Sequence, residues 1–309
     1  MRILITIIVI FLFGCQNKQN SKDKGQSSDI ITTESELNDE FTVIEPDTPK
    51  RNQEQKPNSK KSELPLGLST LRDFEQNGNN RTVKENDSLF IEFLTSFTTY
   101  QNNMNDLLFD DPNYDTYNTL IYADKNLVNP MAKEYEDSVR KVGFYVSMSE
   151  GMIFLEKDPQ FLSKFSEYLS EQMNQFREQY SKEIEYPLAE DAGIIINSEE
   201  LIKRMLFWEK FAKGNIDFEL LVYANDQFEM HLFYFMFGMD NTPIHDWSDS
   251  LGIRPDVIED YKLVIKRYPN SRSAEYLIDY LDFIDQKSYK YDKSFNEFGR
   301  EKFPGMYGK

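Results

Sequence analysis

From residue 86 to residue 284 the apolar residues of this chain recur at intervals of three and four, which gathers them on single faces of helices. Asp87-Ser88 precede Leu89, Phe90, Phe93, Leu94, Phe97, Tyr100, Met104, Leu107 and Leu108, one stripe along about six helical turns. Asp111-Pro112, Asn129-Pro130, Asp158-Pro159 and Pro255 are start signals, since a short polar side chain caps the first turn and proline at the first helical position loses no hydrogen bond. The run Phe161, Leu162, Phe165, Tyr168, Leu169, Met173, Phe176 and Tyr180 reads as one continuous helix. Asn197 and Glu200 have the spacing of a capping box ahead of Leu201, Ile202, Met205, Leu206, Trp208 and Phe211. Met230 to Phe237 is apolar on every face and predicts a central buried helix. Residues 143–156 break the rhythm: Phe144, Val146 and Met148 alternate, Ser149-Glu150-Gly151 is a turn signal, and Met152 to Leu155 follows, which predicts one small β-hairpin. The expected fold is mainly α, an irregular helical bundle or a short helix-pair solenoid with that hairpin.

The address comes from the other end of the chain. Arg2 and the apolar run Ile3 to Phe13, closed by Gly14, have the layout of an export signal. The run is shorter than the roughly 20 residues a bilayer span needs. Leu12-Phe13-Gly14-Cys15 resembles the lipobox of bacterial lipoproteins, with Phe13 bulkier than usual. That resemblance implies cleavage before Cys15, diacylation of its sulfur, further acylation of the new N-terminus, and an extracytoplasmic, lipid-anchored address. Gln16 in place of an aspartate after the cysteine implies, by the same family's rule, the outer membrane. Cys15 is the only cysteine, so a lipidated chain has no disulfide and its stability rests on its core.

These signals divide the chain into a cleaved signal at 1–14, a lipidated cysteine and disordered tether at 15–85, a helical domain at 86–285 and a polar, aromatic tail at 286–309. The tether expectation rests on a polar composition with few aromatics. A flexible coil of that length reaches about 45 Å. Within it the short apolar patch Leu64-Pro65-Leu66-Gly67-Leu68 can dock on the domain. The whole chain carries 35 basic and 53 acidic side chains, net −18, and the excess falls after residue 85. Such a surface repels phosphate backbones, which argues against nucleic-acid binding.

Tyr261 to Ser271 with Ala274 resembles the helix–proline–helix junction of tetratricopeptide-like envelope lipoproteins over residues 257–281. No period of roughly 34 residues repeats upstream of it. The resemblance implies stacked helix pairs with a concave face for a polypeptide or glycan.

Catalytic signals are sparse. No Gly-x-Ser-x-Gly elbow, phosphate loop, dinucleotide fingerprint or calcium loop occurs, and no cofactor is implied. The two histidines, His231 and His245, together with Asp240 or Asp246, are the only conceivable metal set, and a buried hydrogen-bonded histidine is the commoner meaning, so no metal site is expected. Glu150, Asp191, Asp240 and Asp246 sit at irregular positions where a carboxylate pair performs glycosidase chemistry if two converge. Trp247, Tyr289, Tyr291 and Phe295 are the aromatic candidates for stacking on a ligand, with packing of the tail onto the domain as the plainer reading. The sequence thus favours a membrane-anchored, non-enzymatic binding or scaffold module with an envelope protein or glycan as partner; a carbohydrate-active hydrolase is the alternative, and a ligand-free spacer the third reading.

Overall fold

The computed structural model describes residues 65–124, 127–248 and 251–307. Cys15, the expected signal and most of the expected tether lie outside them. The described chain is mainly helical, with only two-stranded antiparallel sheets, and residues 64–309 form one compact unit.

Helix α1 (Leu66–Asn77) lies inside the stretch expected to be tether. Leu71 and Phe74 are buried, and the Phe74 ring meets Phe165 edge-on at 5.0 Å. Gly67 sits so close to the end of a later helix that an added Cβ would lie 2.4 Å from the Val142 carbonyl oxygen. The domain therefore begins near residue 65. Composition averaged over seventy polar residues hid a stripe at 67, 71 and 74. Thr82 then closes a complete capping box with Glu85 at the start of α2 (Val83–Phe109), the long helix that carries the first apolar stripe.

Short helices α3 (Tyr114–Tyr117) and α4 (Thr119–Tyr122) lead to α5 (Pro130–Lys141), capped by Asn129 as its sequence predicts. Strands β1 (Phe144–Ser149) and β2 (Met152–Lys157) make the expected hairpin. Its turn residues Glu150 and Gly151 have φ of 51° and 80°, the left-handed pair that suits a two-residue connection between twisted strands. The hairpin is held along α2: Gln101 Nε2 donates to the Leu155 carbonyl at 2.9 Å and Asn105 Oδ1 accepts from the Leu155 amide at 2.6 Å. Phe97, Phe144, Phe161, Phe165, Phe93 and Phe90 form the core of this half.

The expected helix from Phe161 to Tyr180 is broken. Helix α6 (Pro159–Ser163) and a 3₁₀ turn at Ser166–Tyr168 precede α7 (Glu171–Glu185). Ser170 starts α7 afresh by accepting from Met173 N at 3.0 Å, while Asp87 of α2 accepts from Ser170 N at 2.9 Å. The apolar spacing runs across the break because both pieces face one core. The break is set by hydrogen bonds that periodicity does not register.

Strands β3 (Ala189–Glu190) and β4 (Gly193–Ile194) form a second, minimal hairpin before α8 (Ser198–Gly214) and α9 (Leu221–Phe237). Asn197 caps α8 by accepting from Glu200 N at 2.9 Å, but the Glu200 carboxylate turns to Arg204, so the expected capping box is half made. Strands β5 (Gly238–Met239) and β6 (Thr242–Pro243) follow, then α10 (Pro255–Arg267), α11 (Arg272–Gln286), α12 (Ser294–Lys302) and α13 (Pro304–Tyr307). Helices α8, α9 and α11 each contact the other two.

Helix α9 is the central element, and its His231 is fully buried. His231 Nδ1 lies 2.7 Å from the Gln227 carbonyl oxygen and Nε2 3.7 Å from a Glu183 carboxylate oxygen of α7. Burial lowers its pKa, and the nearby Arg204 of α8 acts in the same sense, against the opposing pull of Glu183. The folded state thus binds this proton less readily than the unfolded chain, whose histidine titrates near 6.5. His231 consequently adds stability that is present above pH 6.5 and is lost as pH falls below it. Between pH 7.5 and 5.5 the loss is expected to reach at most about 1.4 kcal/mol, and His231→Gln should flatten the urea-unfolding free energy over that interval.

Candidate functional site

The two tryptophans have opposite environments. Trp208 is fully buried and donates to Glu183 at 2.7 Å, whereas Trp247 is 76 % exposed. A large ring left in water on an ordered framework is the more informative of the two.

The framework is an irregular ladder of three short stretches. His245 pairs with Ile253 in an antiparallel bridge, Asp246 N donates to Gly252 O at 2.9 Å, and Arg254 N donates to Ile244 O at 2.9 Å. On the other edge Ile253 N donates to Tyr289 O and Tyr291 N to Leu251 O, both at 2.8 Å. The Asp246 carboxylate accepts from Ser248 N at 3.0 Å and from its hydroxyl, an Asx turn that fixes the backbone beside Trp247.

Rings run from this surface into the core. Trp247 and His245, two apart on an extended segment, meet edge to face at 6.1 Å. His245 lies 4.4 Å from Tyr291, and Tyr291 4.8 Å from Phe295. Phe295 is fully buried against Phe283 and Tyr280. It is thus a core anchor rather than the contact residue expected from its position in a polar tail; α12 folds it inward. Burial raises the Tyr291 pKa, with the Asp240 charge adding to the rise, so its hydroxyl stays protonated at neutral pH. Tyr289 is 43 % exposed on the ladder's edge.

The backbone here is strained. Leu251, Ser288 and Tyr289 have φ of 46°, 53° and 59°, half of the positive-φ non-glycine residues among the described residues. Each left-handed residue costs about 1–3 kcal/mol and persists where the surroundings over-determine it, a pattern that clusters at binding sites.

The four candidate carboxylates are spread over the fold, with two of them on neighbouring turns. Glu150 is on the β1–β2 turn, where Tyr122 Oη donates to the adjoining Gly151 carbonyl at 3.4 Å, whereas the other three are in the later half of the chain. Asp191 and Asp240 do sit on adjoining turns: Asn241 N donates to Ala192 O at 2.9 Å and its side chain donates to the Asp191 carbonyl. Asp246 is engaged by Ser248. Neither of two shallow clefts, about 440 and 270 Å³, is lined by any of the four. A glycosidase pair needs walls that hold the sugar ring and exclude water.

His231 and His245 are likewise apart, one buried between helices and one on the ladder, and among the described residues no three His, Cys, Asp or Glu side chains group to hold a metal ion. The sequence raises His245 only as a conceivable metal ligand and sets that role aside. Its alternation with Trp247 is the signal that it stacks. No family model, curated protein or solved structure matches the chain.

Proposed function

We propose that the protein is a lipid-anchored, non-enzymatic binding module of the bacterial cell envelope, held to the membrane through Cys15 and recognising an envelope protein or glycan at the Trp247 surface. The observation that carries the reading is Trp247 itself: an indole 76 % exposed, on a backbone fixed by bonds from three segments and backed by His245 and Tyr291. A rigid aromatic side chain presented this way binds at little ordering cost. The lipobox resemblance at Leu12 to Cys15 supplies the address. Among the described residues no helix is long and apolar enough to cross a membrane.

The test is retention of the purified full chain on peptidoglycan, on envelope polysaccharide and on envelope protein fractions, with turnover assayed in each. Trp247→Ala should weaken retention by about 2 kcal/mol, roughly thirtyfold, with the unfolding midpoint unchanged. Equal retention by the variant removes the reading, and release of reducing sugar would turn attention to Asp191 and Asp240. Cys15→Ala should abolish incorporation of a labelled acyl chain into the protein; a variant labelled as strongly as the parent refutes the anchor.

A further inference from the structure

A second exposed surface lies at the hairpin end, built from other elements and independent of Trp247. Phe109 at the end of α2, Ile121 and Tyr122 of α4, and Met148 and Met152 flanking the β1–β2 turn are 36–60 % exposed. Contacts tie them into one patch. The Tyr122 hydroxyl lies 2.9 Å from the Met148 sulfur. The Tyr114 hydroxyl donates to Ile153 O at 3.1 Å and accepts from Ile153 N at 3.0 Å, next to Met152, and its ring is 6.0 Å from Phe109.

The segments that carry the patch are acidic. Residues 85–124 and 142–156, the segments that build it, contain no lysine or arginine, while Asp106, Asp110, Asp115, Asp124 and Glu150 are all exposed there. Lys125 is outside the described residues, and α5, which packs against α3, α4 and β1, brings Lys133 and Lys141 together with Glu134 and Asp137, while its Arg140 is paired with Glu136 and Asp158. Thioether side chains adapt their shape to different apolar partners, and a carboxylate rim selects positive charge. Anionic lipid headgroups are repelled by the same rim.

We infer that the hairpin-end patch is a docking surface for a basic amphipathic polypeptide segment, one that lays apolar side chains on Phe109, Tyr122, Met148 and Met152 while its Lys and Arg flanks meet the surrounding carboxylates. The binding mode is that of an amphipathic helix on an apolar surface, read as anchors at three-to-four spacing. Because the carboxylates are exposed, the electrostatic part is screened by salt.

The experiment uses the full chain carrying Cys15→Ser and two fluorescent probe peptides of equal hydrophobicity, one patterned Leu/Lys and one Leu/Glu, followed by anisotropy. The Leu/Lys peptide should bind and the Leu/Glu peptide should not. Affinity should fall at least tenfold in Met152→Lys and in Phe109→Ser, and several-fold in 0.5 M salt. Both substitutions are at exposed positions, and circular dichroism melts check that the fold is kept. Equal binding of the two peptides, or unchanged binding in both variants, overturns the inference. So does Met152-dependent binding to phosphatidylcholine vesicles without binding of the Leu/Lys peptide, which assigns the patch to a membrane, or Met152-dependent dimerisation in sedimentation, which assigns it to a second copy.

Discussion

A chain beginning at residue 86 should fail to reach a stable native state, whereas one beginning at residue 65 should keep the full unfolding free energy. The shorter chain lacks Phe74, whose ring is buried against Phe165 and lies 5.8 Å from Tyr168, and Leu71 beside it. Truncating one buried Phe or Leu costs about 2–5 kcal/mol. It also lacks Gly78, whose carbonyl accepts from Asn86 Nδ2 at 3.0 Å; the same amide donates to Tyr168 O at 3.1 Å, tying α2 to the turn before α7. The Thr82–Glu85 cap of α2 is lost as well, at about 1 kcal/mol. Together these losses match much of the 5–15 kcal/mol that a domain of this kind holds in total. Urea unfolding of both truncations, with Phe74→Ala in the full chain expected to lose about 4 kcal/mol, decides the matter. A chain from residue 86 with an unaltered midpoint would show that α1 is dispensable.

The features that were legible in the sequence are local ones. Asn129 and Asp158 cap the helices they precede, and Glu150-Gly151 turns the hairpin, because each signal acts within four residues of itself. Features that were illegible depend on distant partners. Asp87 reaches across 83 residues to fix where α7 begins, and nothing in the spacing of Phe161 to Tyr180 reveals it. The Trp247 surface divides along the same line. Exposure of Trp247 is compatible with its polar, Asp- and Ser-rich surroundings, but the ladder behind it joins residues 251–253 to 289–291, some forty positions apart. Phe295 fits the packing reading and not the contact one, and its sequence leaves both open for the complementary reason: its neighbours in sequence are polar, while its neighbours in space are Tyr280, Phe283 and Tyr291.

The junction between α10 and α11 gives the second large effect, and it turns on Glu209 of α8. This carboxylate is 7 % exposed and accepts from Arg272 N at 2.6 Å, from Ser273 N at 3.2 Å and from the Ser273 hydroxyl. Ser271 accepts from Ala274 N at 3.0 Å. Three of the first-turn amides of α11 therefore have partners, two of them supplied from another helix. A carboxylate at that end also meets the positive pole of the α11 dipole. Glu209→Ala would orphan two backbone donors and a hydroxyl in a place closed to water, since Ser273 is fully buried. The expected loss is about 4 kcal/mol, against about 2 kcal/mol for Glu209→Gln, which keeps one acceptor oxygen. Ser273→Ala alone should cost about 1 kcal/mol, and less still in the Glu209→Ala background, because the hydroxyl then has no charged partner to lose. A double-mutant cycle on unfolding free energies measures that coupling. Additive losses would mean that the Ser273 hydroxyl bond to Glu209 adds nothing to stability. A coupling of about 0.5 kcal/mol or more would identify the carboxylate as the fastening of the helix–proline–helix turn, so that α11, and with it the Tyr289–Tyr291 edge behind Trp247, is positioned by a charge on α8 as well as by its own cap.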